Sequence, residues 1–379
     1  MTLCIPQTDP KANYLAHKKE IESAIAGVLD SGLYILGNQV AEFEREFAAY
    51  LGVSHGVGAA SGTDALHLAL RTCGIGPGDA VITVSHTAVA TVAAIELAGA
   101  VPILVDIDPR TFTLDPQRLE EALAADKGLR PKAVIPVHLY GHPADMPAIM
   151  DISAKAGLVV IEDCAQSHGA AVQGRKTGTW GHIAAFSFYP TKNLGALGDA
   201  GAVVTRDPDV AARARLLREY GWKERYVSET GGMNSRLDEL QAAILRVKLR
   251  YLDRENARRR VLADAYGRAL EGADLTLPAA RPEVFHVYHQ YAVLSPRRNA
   301  LRNHLRAGGI GTLIHYPVPI HLQPAYRHRV VSLDMRNTEE VARQVLSLPM
   351  YPELSEDQVG TVGRAISEYA DEGAGPPHH

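Results

Sequence analysis

Two hydrophobic periods divide the chain. In "KKEIESAIAGVLDSG" (18–32) and "QVAEFEREFAAYLG" (39–52), apolar residues recur at helical spacing and each segment closes on glycine, which predicts two helices. From residue 80 the period changes. Short runs of apolar, β-branched residues follow one another: "AVITVS" (80–85), "VPILVDID" (101–108), "AVIPVHLYG" (133–141), "LVVIEDCA" (158–165), "IAAFSF" (183–188) and "GAVVTR" (201–206). Helical stretches such as "TAVATVAAIELAGA", "DPQRLEEALAA" and "DMPAIMDISAKAG" separate most of them. Continuous apolar runs alternating with helices predict an α/β fold, a mainly parallel sheet covered on both faces. The short gap between 183–188 and 201–206 leaves an antiparallel pair open at that point.

From Ser235 to about Leu270 runs a charge-studded helical pattern, long enough that a kink or break is expected. Beyond it the order changes to extended 285–295, helix 298–309, extended 311–318, and helices near 338–346 and 355–370, an α+β pattern. The predicted organisation is a large domain over 1–250 and a smaller C-terminal domain over 251–379. Its last residues, from 370, are small, polar and proline-rich and are expected to fray.

Composition adds mainly exclusions. The 379 residues are 46% hydrophobic and 22% charged, ordinary for a globular protein, and the net charge of −4 argues against nucleic-acid binding. Cys4, Cys73 and Cys164 are odd in number and lack zinc or disulfide spacing, which suits a reducing cytoplasm. The N-terminus lacks the basic start and apolar core of a signal peptide, and no apolar run reaches membrane-spanning length.

Candidate chemistry gathers at predicted strand ends, where open α/β sheets bind ligands. In "GVGAASGTDALHLAL", a Ser-Gly-Thr turn opens a helix whose first N–H groups suit an anion such as phosphate, or simply form an ordinary N-cap. Its glycines read GxGxxxG rather than GxGxxG, so a nicotinamide site is poorly supported. In "VVIEDCAQSHGA", a strand ends on Glu162 and Asp163, with Gln166 and His168 beyond. Such a carboxylate is a metal ligand, a structural ion pair or the counter-charge of a protonated ring nitrogen. In "SFYPTKNLGALGDAGAVV", Lys192 stands between two strand-like runs where bulky side chains are absent. A solvated surface charge is the ordinary reading of a lysine. Partial desolvation instead makes an amine nucleophilic toward a carbonyl. The small residues after it leave room for a bulky substrate or reflect close backbone packing.

Taken in order, "SGTDAL", "VIEDCAQSHGA", "AFSFYPTKNLGALGDAGAV", "GMNSRLDELQAAIL" and "HYPVPIHLQPAY" resemble the DegT/DnrJ/StrS family of sugar-nucleotide aminotransferases, from about residue 13 to 365. The resemblance implies the aspartate-aminotransferase fold (type I), pyridoxal 5′-phosphate (PLP, alternating with its pyridoxamine form PMP), and homodimers with shared active sites. On that resemblance Lys192 is the Schiff-base lysine and Asp163 the acid that keeps the pyridine nitrogen protonated. Gln166 lies beside the ring hydroxyl and His86 places a ring against the cofactor. Gly62, Thr63 and Ser187 cradle the phosphate, and Asn234 reaches the cofactor phosphate of the other subunit. Tyr189, Arg225 and Tyr226 match nucleotide-diphosphate contacts, and His315, Tyr316 and His321 match sugar-pocket positions. Arg236 is expected to hold the long helix in place. No metal is implied.

The resemblance implies transfer of an amino group from L-glutamate to a nucleotide-linked keto sugar. The forms around Lys192 and His315 are more similar to members that aminate C3 of a dTDP-linked 6-deoxyhexose than to the C4 group. A UDP-linked 3-keto-uronic acid sugar is the competing substrate. Two further branches are a PMP-dependent dehydratase, which usually has histidine at the lysine position, and a non-catalytic regulator. Lys192 argues against the first. The complete cofactor set, with no basic DNA-reading helix, argues against the second.

Overall fold

The computed structural model describes residues 4–125, 128, 130–279 and 281–373. Seven strands of the main sheet come from the first part of the chain: β1 (His55–Ala59), β2 (Ala80–Val84), β3 (Val101–Val105), β4 (Pro131–Val134), β5 (Val159–Asp163), β6 (Ile183–Ser187) and β7 (Gly201–Thr205). The later part adds β8 (Tyr291–Leu294), β9 (Val331–Ser332) and β10 (Val345–Leu348). The main sheet runs β1-β7-β6-β5-β4-β2-β3-β9. Pairing is parallel from β6 to β9, while β7 is antiparallel to both neighbours, as the short gap before it allowed.

Apolar layers cover the sheet on both faces. β5 sends Val160 into one layer, with Ile82, Val84 and Ile103, and Ile161 into the other, with Val81, Ala133 and Ile183. This alternation of a pleated strand carries on into Glu162 and Asp163, which therefore leave β5 on opposite faces. The expected helices form at Lys18–Ser31 and Asn38–Leu51, each closed by a left-handed glycine, Gly32 (φ 67°) and Gly52 (φ 81°). The long helical pattern breaks at Arg250–Tyr251 into two helices, Glu239–Leu249 and Leu252–Ala269.

Around Leu262, Tyr266, Leu301 and Val362 lies a separate core, over the antiparallel pair β8–β10. Two segments cross the boundary expected at residue 250. Ile5 packs in that C-terminal core and bridges Ile310, and β9 pairs in parallel with β3.

Several expectations need correction. Segment 311–318 is not a strand; only Leu313 bridges, to Ser347 on β10. β10 itself was missed because its apolar run abuts the helix Arg336–Gln344 without a turn residue between. The strand expected over 133–141 stops at Val134. A 3₁₀ turn, Leu139–Gly141, follows, with Tyr140 (φ 59°) and Gly141 (φ 94°) left-handed. Of 285–295, Tyr291–Leu294 and the end of a short pair, Val284–Phe285, are extended. The last helix runs Glu356–Gly373, past residue 370 where fraying was expected; 374–379 lie outside the described residues. No helix among the described residues is long and apolar enough to cross a membrane.

Candidate active site

Lys192 sits on a tight loop between β6 and β7. The loop is closed by Ala196 N–H to Phe188 O (2.7 Å) and, inside it, Lys192 N–H to Tyr189 O (2.8 Å). A Cβ on Gly195 would lie 2.5 Å from Pro190 O, and one on Gly201 would lie 2.2 Å from Ser61 O. Ala196 and Ala200 are buried in an aromatic-rich core with Phe186 and Phe188. Backbone closure and packing account for these small residues, so they do not open room for a substrate. Burial pushes the Lys192 amine down to about 8, against the opposing charge of Asp163, which favours the ammonium.

The two carboxylates at the end of β5 have separate roles. Glu162 is fully buried and accepts four hydrogen bonds, from Gly178 N (2.8 Å), Trp180 N (2.7 Å), Gly181 N (2.8 Å) and His138 Nε2 (3.0 Å). His138 Nδ1 accepts the Ala144 N–H, which leaves the proton on Nε2 for Glu162. Burial would push Glu162 up, but the His138 bond and the amide donors outweigh it and hold the carboxyl below its ordinary value. His138, Glu162 and Cys164 lie within metal-ligand reach of one another, yet the histidine and glutamate are already saturated by these bonds.

Asp163 accepts from Thr91 Oγ1 (2.9 Å) and Ala165 N (3.1 Å). Burial raises its carboxyl above the ordinary value, while those two donors and the charge of Lys192 pull the other way. It is the carboxylate that interacts electrostatically with Lys192. Thr91, inside the helix Val89–Leu97, was not singled out from the sequence.

Beside them lies the start of α1 (Gly62–Thr72). Ser61 caps it, accepting the Asp64 N–H at 3.1 Å. A Cβ on Gly62 would lie 2.5 Å from Ser187 Cβ, so the first amides of α1 and the Ser187 side chain converge on one spot. Ser235 joins this corner, accepting the Ala60 N–H (3.0 Å) and donating to Asp64 Oδ2 (2.8 Å). Its neighbour Asn234 is exposed and bridges Glu219. Ser235 was missed because its partners lie far back along the chain.

The opposite wall is a hydrogen-bonded relay. Tyr140 Oη donates to His315 O, so His86 Nε2–H donates to Tyr140 Oη (2.8 Å) and His86 Nδ1 keeps a lone pair without a partner among the described residues. Burial, with a smaller push from His315, takes His86 down to about 4, so its ring is neutral at pH 7. Gln166 Oε1 accepts the Tyr140 N–H (2.7 Å) and its Nε2 donates to Tyr316 Oη (3.1 Å). Burial pushes Tyr316 up to about 12 and His315 down to about 4. His321 stands apart. Ser85 Oγ accepts the His321 N–H (3.2 Å) and its hydroxyl meets Nδ1 (2.7 Å), while Nε2 faces Glu339 (3.3 Å). Both of its ring nitrogens have partners among the described residues.

Tyr189 is 51% exposed. Arg225 and Tyr226 lie on an exposed hairpin, Trp222–Glu224 with Val227–Ser228, the guanidinium 5.1 Å from the Tyr226 ring. Lys223, Arg225 and Arg236 line an open groove beside that hairpin. Among the described residues no side-chain hydrogen bond or ion pair joins these residues to Lys192 within one chain.

A desolvated amine, a buried carboxylate and an anion cradle thus share one end of the sheet. The pattern of the DegT/DnrJ/EryC1/StrS aminotransferase family matches residues 16–367. The chain belongs to this family. It is 49% identical to a dTDP-3-amino-3,4,6-trideoxy-α-D-glucose transaminase of Streptomyces venezuelae, over 97% of this chain and 96% of that one. It is 45% identical to a UDP-N-acetyl-3-dehydro-α-D-glucosamine 3-aminotransferase of Acidithiobacillus ferrooxidans, over 96% and 97%. The crystal structure of DesV from S. venezuelae superposes with a TM-score of 0.93 at 49% identity, covering 98% of this chain and 99% of that one. The fold is therefore that of the PLP-dependent aminotransferases.

The residues present in this aminotransferase fit PLP. Gly62 leaves no room for a Cβ against Ser187, which brings the amides at the start of α1 beside the serine side chain, donors suited to an anion. The orphaned His86 Nδ1, the Asp163 carboxylate and the desolvated Lys192 supply polar groups for the rest of the ring.

Proposed function

We propose that this enzyme transfers an amino group from L-glutamate to C3 of a nucleotide-linked keto-deoxyhexose, with a dTDP-linked 3-keto-6-deoxy sugar as substrate. The observation that carries the reading is the desolvated Lys192 amine paired electrostatically with Asp163, on the loop that follows Ser187 of the Gly62–Ser187 corner. Amination at position 3 is supported by the names of the Streptomyces and Acidithiobacillus relatives. The Acidithiobacillus protein also supports a second reading, a UDP-linked 3-keto sugar.

In this reading Gly62, Thr63 and Ser187 hold the phosphate of PLP, Asp163 faces the ring nitrogen, Gln166 the ring hydroxyl, and His86 the ring face. Bound PLP supplies an electron sink and a carrier for the amino nitrogen. Lys192 anchors the group. Its neutral Nζ would take the proton from the carbon that bears the donor's nitrogen and, in the second half, deliver one to the sugar carbon that receives the nitrogen. An amine with its pKa near 8 suits both directions of that transfer. Asp163 keeps a proton on the ring nitrogen by offering a carboxylate in a water-poor site. His315 and Tyr316 line the sugar side, and Tyr189, Arg225 and Tyr226 bind the nucleotide diphosphate. The exposed positions of Arg225, Tyr226 and Asn234 suit a site completed by a second copy of the chain in a homodimer.

Purified holoenzyme mixed with glutamate, then with a panel of dTDP- and UDP-linked 3-keto and 4-keto sugars, tests this. The expected result is a glutamate-dependent change in the visible cofactor band, followed by a 3-amino product identified by NMR. Amination confined to 4-keto sugars would overturn the C3 assignment, and a Lys192→Ala protein that kept the lysine-linked band would overturn the site.

A further inference from the structure

We propose that Lys248 is a positioning residue for Lys192, acting through the carbonyl of Gly195. The helix pair α2 (Glu239–Leu249) and α3 (Leu252–Ala269) holds the Lys192 loop at three points. Gln241 Oε1 accepts the Leu197 N–H (2.9 Å), Asn256 Oδ1 accepts from Asn193 Nδ2 (2.9 Å), and Lys248 Nζ donates to Gly195 O (2.5 Å). The outer two grip residues that flank the loop's turn. Lys248 alone grips the peptide that closes it, because Gly195 is where the chain folds back against Pro190 O and Lys192 O.

That grip matters because packing around the loop is incomplete on this side. A small polar cavity of about 20 Å³ lies beside it, lined by Thr191, Lys192, Lys248, Glu255, Arg259 and Glu353 among others, room for about one water. Asn13 Oδ1 and Arg259 Nε, both on that cavity, lack partners among the described residues. Beside that gap, a directed hydrogen bond adds to the packing of Leu194 and Ala196 in setting the loop's height. Lys248 is itself buried, and burial takes its amine down to about 8, while Glu255 and Glu353 favour the ammonium and Arg259 opposes it. An ammonium so placed makes a short, charge-assisted bond to a carbonyl, stronger than a neutral donor would give. An ångström of drift at the loop moves the Lys192 amine relative to Asp163 and to whatever it attacks, and misplacement on that scale costs about 100-fold in rate.

The proposal rests on Lys192 carrying the cofactor. Its test uses holoenzyme of Lys248→Met, Lys248→Arg and Lys192→Ala, each checked for thermal stability. Two quantities are read: the pH midpoint at which the visible band of the lysine-linked cofactor titrates, and the single-turnover rate with glutamate. In Lys248→Met the midpoint is expected to move and the rate to fall roughly 10- to 100-fold, with Lys248→Arg restoring most of both. A lowered melting temperature with an unmoved midpoint and rate would mean a merely structural lysine and overturn the proposal. Should Lys248→Met not fold, Lys248→Gln, which keeps an uncharged donor, is measured in its place: a moved midpoint and slower turnover support the proposal, and unchanged values overturn it. Retention of the lysine-linked band by Lys192→Ala would instead fail the functional reading itself, so the two failures are distinct.

Discussion

Gly62 and Ser187 meet so closely that a Cβ on the glycine would lie 2.5 Å from the serine's own Cβ. The start of α1 and the end of β6 can converge on one anion only while residue 62 has no side chain. Gly62→Ala should therefore cost about 1–3 kcal/mol of stability through overpacking. It should also weaken PLP retention by roughly tenfold or more, the consequence of losing about 1.4 kcal/mol of binding. Absorbance titration of cofactor-stripped protein measures it. Ser187→Ala in the same chain keeps the offending carbon and should give no relief, whereas Ser187→Gly should relieve the strain but not restore the hydroxyl.

In cofactor-stripped protein the Lys192 amine should become reactive with a midpoint near its lowered value of about 8, where an ordinary lysine stands at 10.5. Burial disfavours the ammonium, so a larger neutral fraction is present at neutral pH. Reductive methylation followed by mass spectrometry of the Lys192 peptide across pH reads that midpoint. Asp163→Asn removes the charge that favours the ammonium, so the midpoint should fall further. A midpoint that rose would contradict the electrostatic pairing.

Asp163→Asn should separate activity from stability. The folded-state carboxyl is raised by burial, so the folded protein holds the proton more tightly than the unfolded chain does. Stability is then lost as pH rises through the raised value, and the ionised carboxylate opposes folding in cofactor-free protein. The asparagine variant should accordingly be at least as stable at neutral pH, with a flatter pH dependence in urea unfolding. Its transamination should nevertheless fall roughly 100- to 1,000-fold, the scale of losing one preorganised electrostatic partner. Loss of stability in step with activity would sink this account.

Glu162→Gln should do the reverse. An amide can accept only part of what four donors offer, so about 3 kcal/mol of stability should go, with cofactor absorbance retained in the protein that folds. Because the folded carboxyl lies below its ordinary 4.5, the wild-type contribution is full above that value and disappears as pH falls through the depressed one. Urea denaturation of both proteins between pH 3 and 7, roughly the window set by that shift, should show the difference narrowing toward acid. Chelator treatment should change neither protein, since the lone pairs of His138 and Glu162 are already taken by N–H donors.

Much of this protein was legible one segment at a time. Continuous apolar runs marked the strands of a parallel sheet, helical spacing and glycine ends marked helices, and the motif around Lys192 singled out the amine. Those features are local, because backbone geometry repeats over a few residues and turn chemistry is read from neighbours. The order of five such motifs along the chain already resembled one family.

Residue patterning left open which of two adjacent acids serves the site, and only the family resemblance pointed to Asp163. Strand alternation sends Glu162 and Asp163 to opposite faces, and the partners waiting there differ, four donors for one and Lys192 for the other. The same holds for the small residues after Lys192, which close a backbone rather than clear a pocket, and for His321, whose ring nitrogens are taken up by Ser85 and Glu339. Thr91, Tyr140, Ser235 and Lys248 carried no signal, because each acts on a residue brought near only by folding. Periodicity reports which face of an element is apolar, but a hydrogen bond across tens or hundreds of residues exists only once the packed layers have fixed where both ends stand.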